Sequence, residues 1–146
     1  MWRERGLGLS RSILVVEDNA SLRRLITEAL RQHGFHVLPA ARAARGQHIV
    51  DRERGQIALA ILDMVMPGMS GLDLAAYLGR AFPSIPILYI SGHGESLAIQ
   101  SIARLSPANV LLKPFTADRL VERVIRLIGE ENRAPSRAAP GPPAAS

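Results

Sequence analysis

Five times along this chain a short apolar stretch runs straight into a polar or turn-forming residue, and helical periodicity returns soon afterwards. Ser12-Ile-Leu-Val-Val16 stops at Glu17 and Asp18, and Ile57-Ala-Leu-Ala-Ile-Leu62 stops at Asp63. Phe35 to Leu38, Ile87 to Ile90 and Val110 to Leu112 are the other three runs. A strand apolar on both faces is satisfied only in a middle layer, covered above and below. Strands alternating with helices place the chain in the α/β class, as an open, doubly wound parallel sheet with helices on both faces. Right-handed crossovers then restrict the order of the strands.

The helical stretches carry their own patterns. In residues 20–33, Leu22, Leu25, Ile26, Ala29 and Leu30 fall on one face, with Gly34 as a C-cap on which Phe35 packs back. Pro39 is expected to close the second strand, because proline has no N–H for a ladder. Residues 40–55 read least clearly, with Gly46 and Gly55 marking ends. Residues 71–80 should bury Leu72, Ala75, Ala76 and Leu78, and residues 95–105 present Leu97, Ile102 and Leu105. Thr116 is placed to cap a last helix bearing Leu120, Val121, Val124, Leu127 and Ile128. The expected organisation is a loose leader over 1–10, one domain over 11–129, and a Pro/Ala-rich tail over 130–146 with nothing to bury and therefore disordered.

Composition removes several classes. The 146 residues contain no cysteine, so disulfide frameworks and thiolate metal sites are excluded. No apolar run reaches the length of a membrane span, and Met1-Trp-Arg-Glu-Arg5 lacks the apolar segment of a signal peptide, so a cytoplasmic location is expected. The net charge of +5 comes from arginines spread along the chain, many beside acids as in Asp51-Arg-Glu-Arg54, and no direct nucleic-acid contact is expected. No dinucleotide fingerprint, P-loop or nucleophile elbow is present.

What remains is the rim formed by the strand ends. Glu17 and Asp18 follow the first strand, Asp63 the third, Ser91 the fourth and Lys113 the fifth. Ligands of open α/β sheets bind at this rim. Three carboxylates together repel one another unless a cation joins them. Their all-oxygen chemistry suits Mg²⁺, which keeps several waters, rather than zinc. Lys113 is the only lysine in the chain, beside seventeen arginines. A compact ammonium at that point contrasts with the arginine used everywhere else. Asp63, ending the strand expected at the centre, is the best candidate for a nucleophile toward a phosphoryl group, with lysine supplying the opposing charge and a hydroxyl a hydrogen bond.

The segments Ile13-Leu-Val-Val-Glu-Asp-Asn19, Ile61-Leu-Asp-Met-Val-Met-Pro-Gly-Met-Ser-Gly71, Ile87-Leu-Tyr-Ile-Ser-Gly92 and Leu112-Lys-Pro-Phe115 resemble the receiver domain of bacterial two-component response regulators. The resemblance covers roughly 11–129. It implies a flavodoxin-like (βα)5 three-layer sandwich with sheet order 2-1-3-4-5. It implies Asp63 as phosphoacceptor, Ser91 and Lys113 as its catalytic companions, and a Mg²⁺ site made by Glu17, Asp18, Asp63 and a backbone carbonyl from Met64 or, better, Val65. It implies a Lys113–Pro114 bond in the cis form. It further implies a phosphohistidine donor, either a histidine kinase or a histidine phosphotransfer protein. Such a domain catalyses its own phosphorylation and dephosphorylation without being a classical turnover enzyme.

Three departures stand out. Val110 occupies the place of the family's aromatic switch, with Tyr89, two before Ser91, read as core. Ala40 to Gln47 lacks the usual Asp-Gly turn. Ala58 stands where an aspartate is common. His93 is read as a loop residue, and His33, His36 and His48 as surface or boundary residues. With short, polar flanks, the chain is expected to act as a stand-alone receiver through contact with a downstream protein, as a monomer or a phosphorylation-modulated homodimer. The alternatives are a non-phosphorylated pseudo-receiver and a receiver module cut from a hybrid kinase.

Overall fold

The computed structural model describes residues 12–54, 56–64, 70–92 and 97–138. Strands β1 (Ser12–Val16), β2 (His36–Ala40), β3 (Ile57–Asp63), β4 (Ile87–Ser91) and β5 (Val110–Leu112) alternate with helices α1 (Ala20–Gln32), α2 (Ala43–Arg52), α3 (Gly71–Ala81), α4 (Leu97–Leu105) and α5 (Ala117–Ala138). A short 3₁₀ turn, Pro107–Asn109, leads into β5. All strand pairs are parallel, in the order β2-β1-β3-β4-β5. This is the flavodoxin-like fold expected from the sequence. Among the described residues no helix is long and apolar enough to cross a membrane.

The strand period of two divides the core into two layers. Ile13, Val15, Leu59, Ile61, Leu88, Ile90 and Leu111 face α1 and α5, meeting Ile26, Leu30, Leu120, Val124 and Leu127. Leu14, Val16, Ala60 and Leu62 face the other way, toward α2, α3 and α4 through Ile49, Val50, Leu74, Leu78 and Ile99. Each fully buried Val, Leu or Ile side chain among them stabilises the fold by about 1.5–3 kcal/mol relative to exposure. The middle strand, β3, is buried at every residue, its terminal Asp63 included.

Several expectations change. Pro39 does not close the second strand; it lies inside β2, paired with Val15. Its missing N–H is tolerated because β2 is an edge strand. Gly46 does not end a helix; it is buried within α2. A Cβ there would lie 2.8 Å from Val16 Cγ2 and 3.1 Å from Leu74 Cδ2, so glycine lets α2 seat closely on the sheet. The start of α2 was hard to read because its N-cap, Arg42, gives no side-chain hydrogen bond. In α1, Leu25 is 42% exposed, and Thr27 occupies a buried place instead. In α3 the buried set is Leu74, Ala75 and Leu78, whereas Ala76 is exposed.

The final helix continues to Ala138, beyond the expected boundary at 130. The leader over 1–10 and residues 139–146 lie outside the described residues. Other details agree with expectation. Gly34 takes φ 88° behind α1, and the Phe35 N–H reaches Leu30 O at 3.2 Å with its ring buried. Thr116 Oγ1 accepts from Arg119 N–H at 3.1 Å.

Candidate functional site

The site begins where β1 gives out. The Glu17 N–H still bonds Ala40 O at 3.0 Å, prolonging the β1–β2 ladder by one residue and turning the Glu17 side chain inward, where it is 1% exposed. Asp18 is exposed. Asn19 then starts α1: its side chain accepts from Leu22 N–H at 2.8 Å, and its own N–H donates to Glu17 Oε2 at 3.0 Å. Arg23, one turn into the helix, sends Nη1 back to the carbonyls of Glu17 at 2.9 Å and Asp18 at 3.5 Å.

From the sheet centre comes Asp63, 3% exposed at the end of β3. The Met64 N–H continues toward β4 by bonding Ile90 O at 3.2 Å. Gly71, the first residue of α3, lies directly against Asp63: a Cβ on it would sit 2.1 Å from Asp63 O. Ser70 and Asp73 close a capping box around that helix start. Ser91 is buried at the end of β4, and its hydroxyl donates to Gly92 O at 3.1 Å. The Lys113 N–H bonds Ser91 O at 2.8 Å, and the Lys113–Pro114 peptide is cis. The lysine Nζ lies 3.5 Å from Asp63 Oδ1 and 3.9 Å from Glu17 Oε1.

Glu17, Asp18 and Asp63 each offer a carboxylate oxygen, all within 4.8 Å of one another. Their mutual cost is visible at Glu17. Burial, reinforced by the Asp63 carboxyl beside it, raises its pKa from 4.5 to about 7, against the opposing pull of the Asn19 N–H and Lys113. Among the described residues, the buried Glu17 Oε1 has the Lys113 ammonium at 3.9 Å but no hydrogen-bond partner. An all-oxygen donor set with an orphaned buried acceptor fits a hard divalent cation. The fold thus brings Glu17, Asp18, Asp63 and Lys113 together and places Ser91 on the adjoining strand end. Val65 and His93 lie outside the described residues.

A family model for the response regulator receiver domain matches residues 13–125. The chain belongs to the response regulator receiver family. As a receiver it is 28% identical over 116 residues to sporulation initiation phosphotransferase F of Bacillus subtilis, with 80% of this chain and 92% of that protein covered. It is 33% identical to nodulation protein W of Bradyrhizobium diazoefficiens over 77% of this chain and 49% of the other. With the sensor kinase CckA of Brucella abortus, identity is 27% over 84% of this receiver but only 13% of the kinase. Among solved structures, the receiver domain of NtrX from Brucella abortus superposes with TM-score 0.72 at 30% identity, covering 81% of this chain and 98% of that one. Domains of this family work with histidine kinases or phosphotransfer proteins in two-component systems.

Two features of this receiver were missed in the sequence, Arg23 and the contact of Gly71 with Asp63. Arg23 had a signal, since a residue one turn into a helix can reach back over the loop before it. Gly71 had none, because close backbone approach leaves no local pattern. The register also places Tyr89 directly beside Val110, so the aromatic absent from position 110 has a neighbour on β4. Tyr89 is half-buried on the α2–α4 side, and that burial raises its phenol pKa. Behind Val110, Arg123 Nη1 holds the carbonyls of Val110 at 2.7 Å and Ala108 at 3.1 Å.

Proposed function

We propose that this receiver accepts a phosphoryl group on Asp63 from a phosphohistidine of a histidine kinase or phosphotransfer protein. The observation that carries the reading is the buried Asp63 carboxylate, with Lys113 Nζ at 3.5 Å and two further acids alongside. An Asp63 oxygen attacks phosphorus in line; the P–N bond breaks, and its electron pair stays on the imidazole nitrogen. Lys113 faces the transferred oxygens with a fixed positive charge, and the Ser91 hydroxyl turns from Gly92 O to hydrogen-bond one of them. Glu17, Asp18 and Asp63, with the Val65 carbonyl, would hold Mg²⁺, which when bound neutralises phosphoryl oxygens.

The acylphosphate signals by shifting the population of surfaces met by a downstream protein, with the receiver as a monomer or a phosphorylation-modulated dimer in the cytoplasm. Support for a stand-alone role is the match along 92% of the sporulation phosphotransferase. A second reading, a receiver module of a hybrid kinase, draws on the match to 13% of a sensor kinase. Either way the chemistry has one test. The full chain is incubated with a small phosphodonor and Mg²⁺ and its intact mass measured. One added phosphoryl group, absent from Asp63→Asn, is expected. No addition from small donors or from histidine kinases overturns the proposal in favour of a pseudo-receiver.

A further inference from the structure

We infer that Arg23 is a positioning residue for the cation site: its guanidinium fixes the backbone of Glu17 and Asp18 through their carbonyls and so presets the acidic pair against Asp63. The inference rests on the proposed cation-binding role of that cluster.

The geometry behind it is specific. The loop between β1 and α1 has to deliver two carboxylates to one place, one buried and one exposed. Glu17 is tied on three sides: its N–H to Ala40 O, its carboxylate to the Asn19 N–H, and its carbonyl to Arg23. Among the described residues, Arg23 is the partner of Glu17 that also bonds Asp18, whose carbonyl lies 3.5 Å from the same Nη1. Arg23 itself is anchored, its backbone N–H bonding Asn19 O at 2.8 Å, so the guanidinium is referred to the helix start rather than to solvent.

Its bonds go to carbonyls and not to the carboxylate oxygens. The charge therefore supports the acidic pair without occupying the space a cation needs, whereas Lys113 Nζ sits among the carboxylates themselves. Both bonds leave the one Nη1, whose N–H groups are held in the rigid guanidinium plane; a lysine ammonium carries rotatable donors on a flexible stem and fixes their directions less well. Outer groups that orient ligands in this way typically contribute about 10- to 100-fold to metal affinity.

The test titrates the full chain with Mn²⁺, counting free ion by EPR, and follows melting in EDTA. Arg23→Ala is expected to weaken binding by about 10- to 100-fold while its cation-free melting stays close to wild type. Arg23→Lys, which keeps the charge but not the rigid plane, is expected to recover only part of the loss. Wild-type affinity in Arg23→Ala overturns the inference, and so does full recovery in Arg23→Lys, which would assign the effect to charge alone. Affinity that falls only in proportion to a lowered EDTA melting temperature overturns it as well. If Arg23→Ala does not fold, Arg23→Lys with wild-type affinity is sufficient to reject it. Asp18→Asn serves as the control: undiminished Mn²⁺ affinity there removes the cation reading itself, separately from the role of Arg23.

Discussion

The interior of the sheet and its C-terminal rim are one residue apart along β3, yet they follow opposite rules. Leu62 is fully buried among apolar partners on the α2–α4 side. Asp63, the next residue, is almost as buried but faces two other acids and a lysine. In the interior, burial and stability point the same way. At the rim, burial works against the charged form of Glu17, whose carboxyl is held above its ordinary range. Burial is therefore favourable at Leu62 and costly at a charged Glu17. Only the chemistry of the neighbours separates them.

The largest expected effect tests the interior. Leu62→Ala should lower stability by about 2–5 kcal/mol in urea unfolding, through lost transfer energy and the cavity left behind. Below its melting temperature it should still accept phosphoryl groups on Asp63. Loss of that capacity in a folded Leu62→Ala protein would break the division between interior and rim.

The next effect has the opposite sign. With its pKa raised from 4.5 unfolded to about 7 folded, Glu17 binds its proton more tightly in the native chain. Its stability contribution is therefore neutral below about pH 4.5, worsens as pH rises toward about 7, and stays at its full penalty above that. Glu17→Gln should thus stabilise the protein at pH 8 in EDTA and match wild type at pH 4. It should also bind divalent cations more weakly. A stability difference that stays flat between pH 4 and pH 8 would show that the buried charge is not what the rim gives up.

The same contrast governs what was legible in the sequence. Every strand was readable because an apolar run bounded by polar residues is a local pattern, and the rim followed because parallel strands align their ends. Glu17, Asp18, Asp63, Ser91 and Lys113 could be named from that alignment alone. The details that failed depend on partners distant in sequence. Pro39 is acceptable because no strand among the described residues pairs beyond β2, and Gly46 is buried because Val16 and Leu74 crowd it. Leu25 fits the helical stripe of α1 as well as Ile26 does, yet the packing of α5 and the sheet chooses Ile26. Arg23 bonds backbone carbonyls and Gly71 lies against one, and backbone partners carry no side-chain signature to read.

Gly71 offers a smaller but sharper probe, because it joins the two regions. A methyl group placed 2.1 Å from Asp63 O must push α3 or the end of β3 aside. Gly71→Ala should cost about 1–3 kcal/mol, in the range of overpacking. Unlike an interior substitution of equal cost, it should also slow phosphorylation of Asp63 by a small donor. An equal rate in a folded Gly71→Ala protein would show that the carboxylate keeps its place without this contact.

The smallest effects compare two helix caps. Asn19 Oδ1 accepts from Leu22 N–H at the rim end of α1, and Thr116 Oγ1 accepts from Arg119 N–H ahead of α5. Replacing either by alanine removes one helix-capping bond and should cost about 1 kcal/mol. Asn19 lies nearer the chemistry, yet its service to Glu17 comes from the backbone N–H, which alanine retains. Asn19→Ala and Thr116→Ala should therefore lower the melting temperature alike and leave Mn²⁺ affinity unchanged in both. A selective loss of affinity in Asn19→Ala would mean that the helix cap, and not the backbone alone, keeps Glu17 in position.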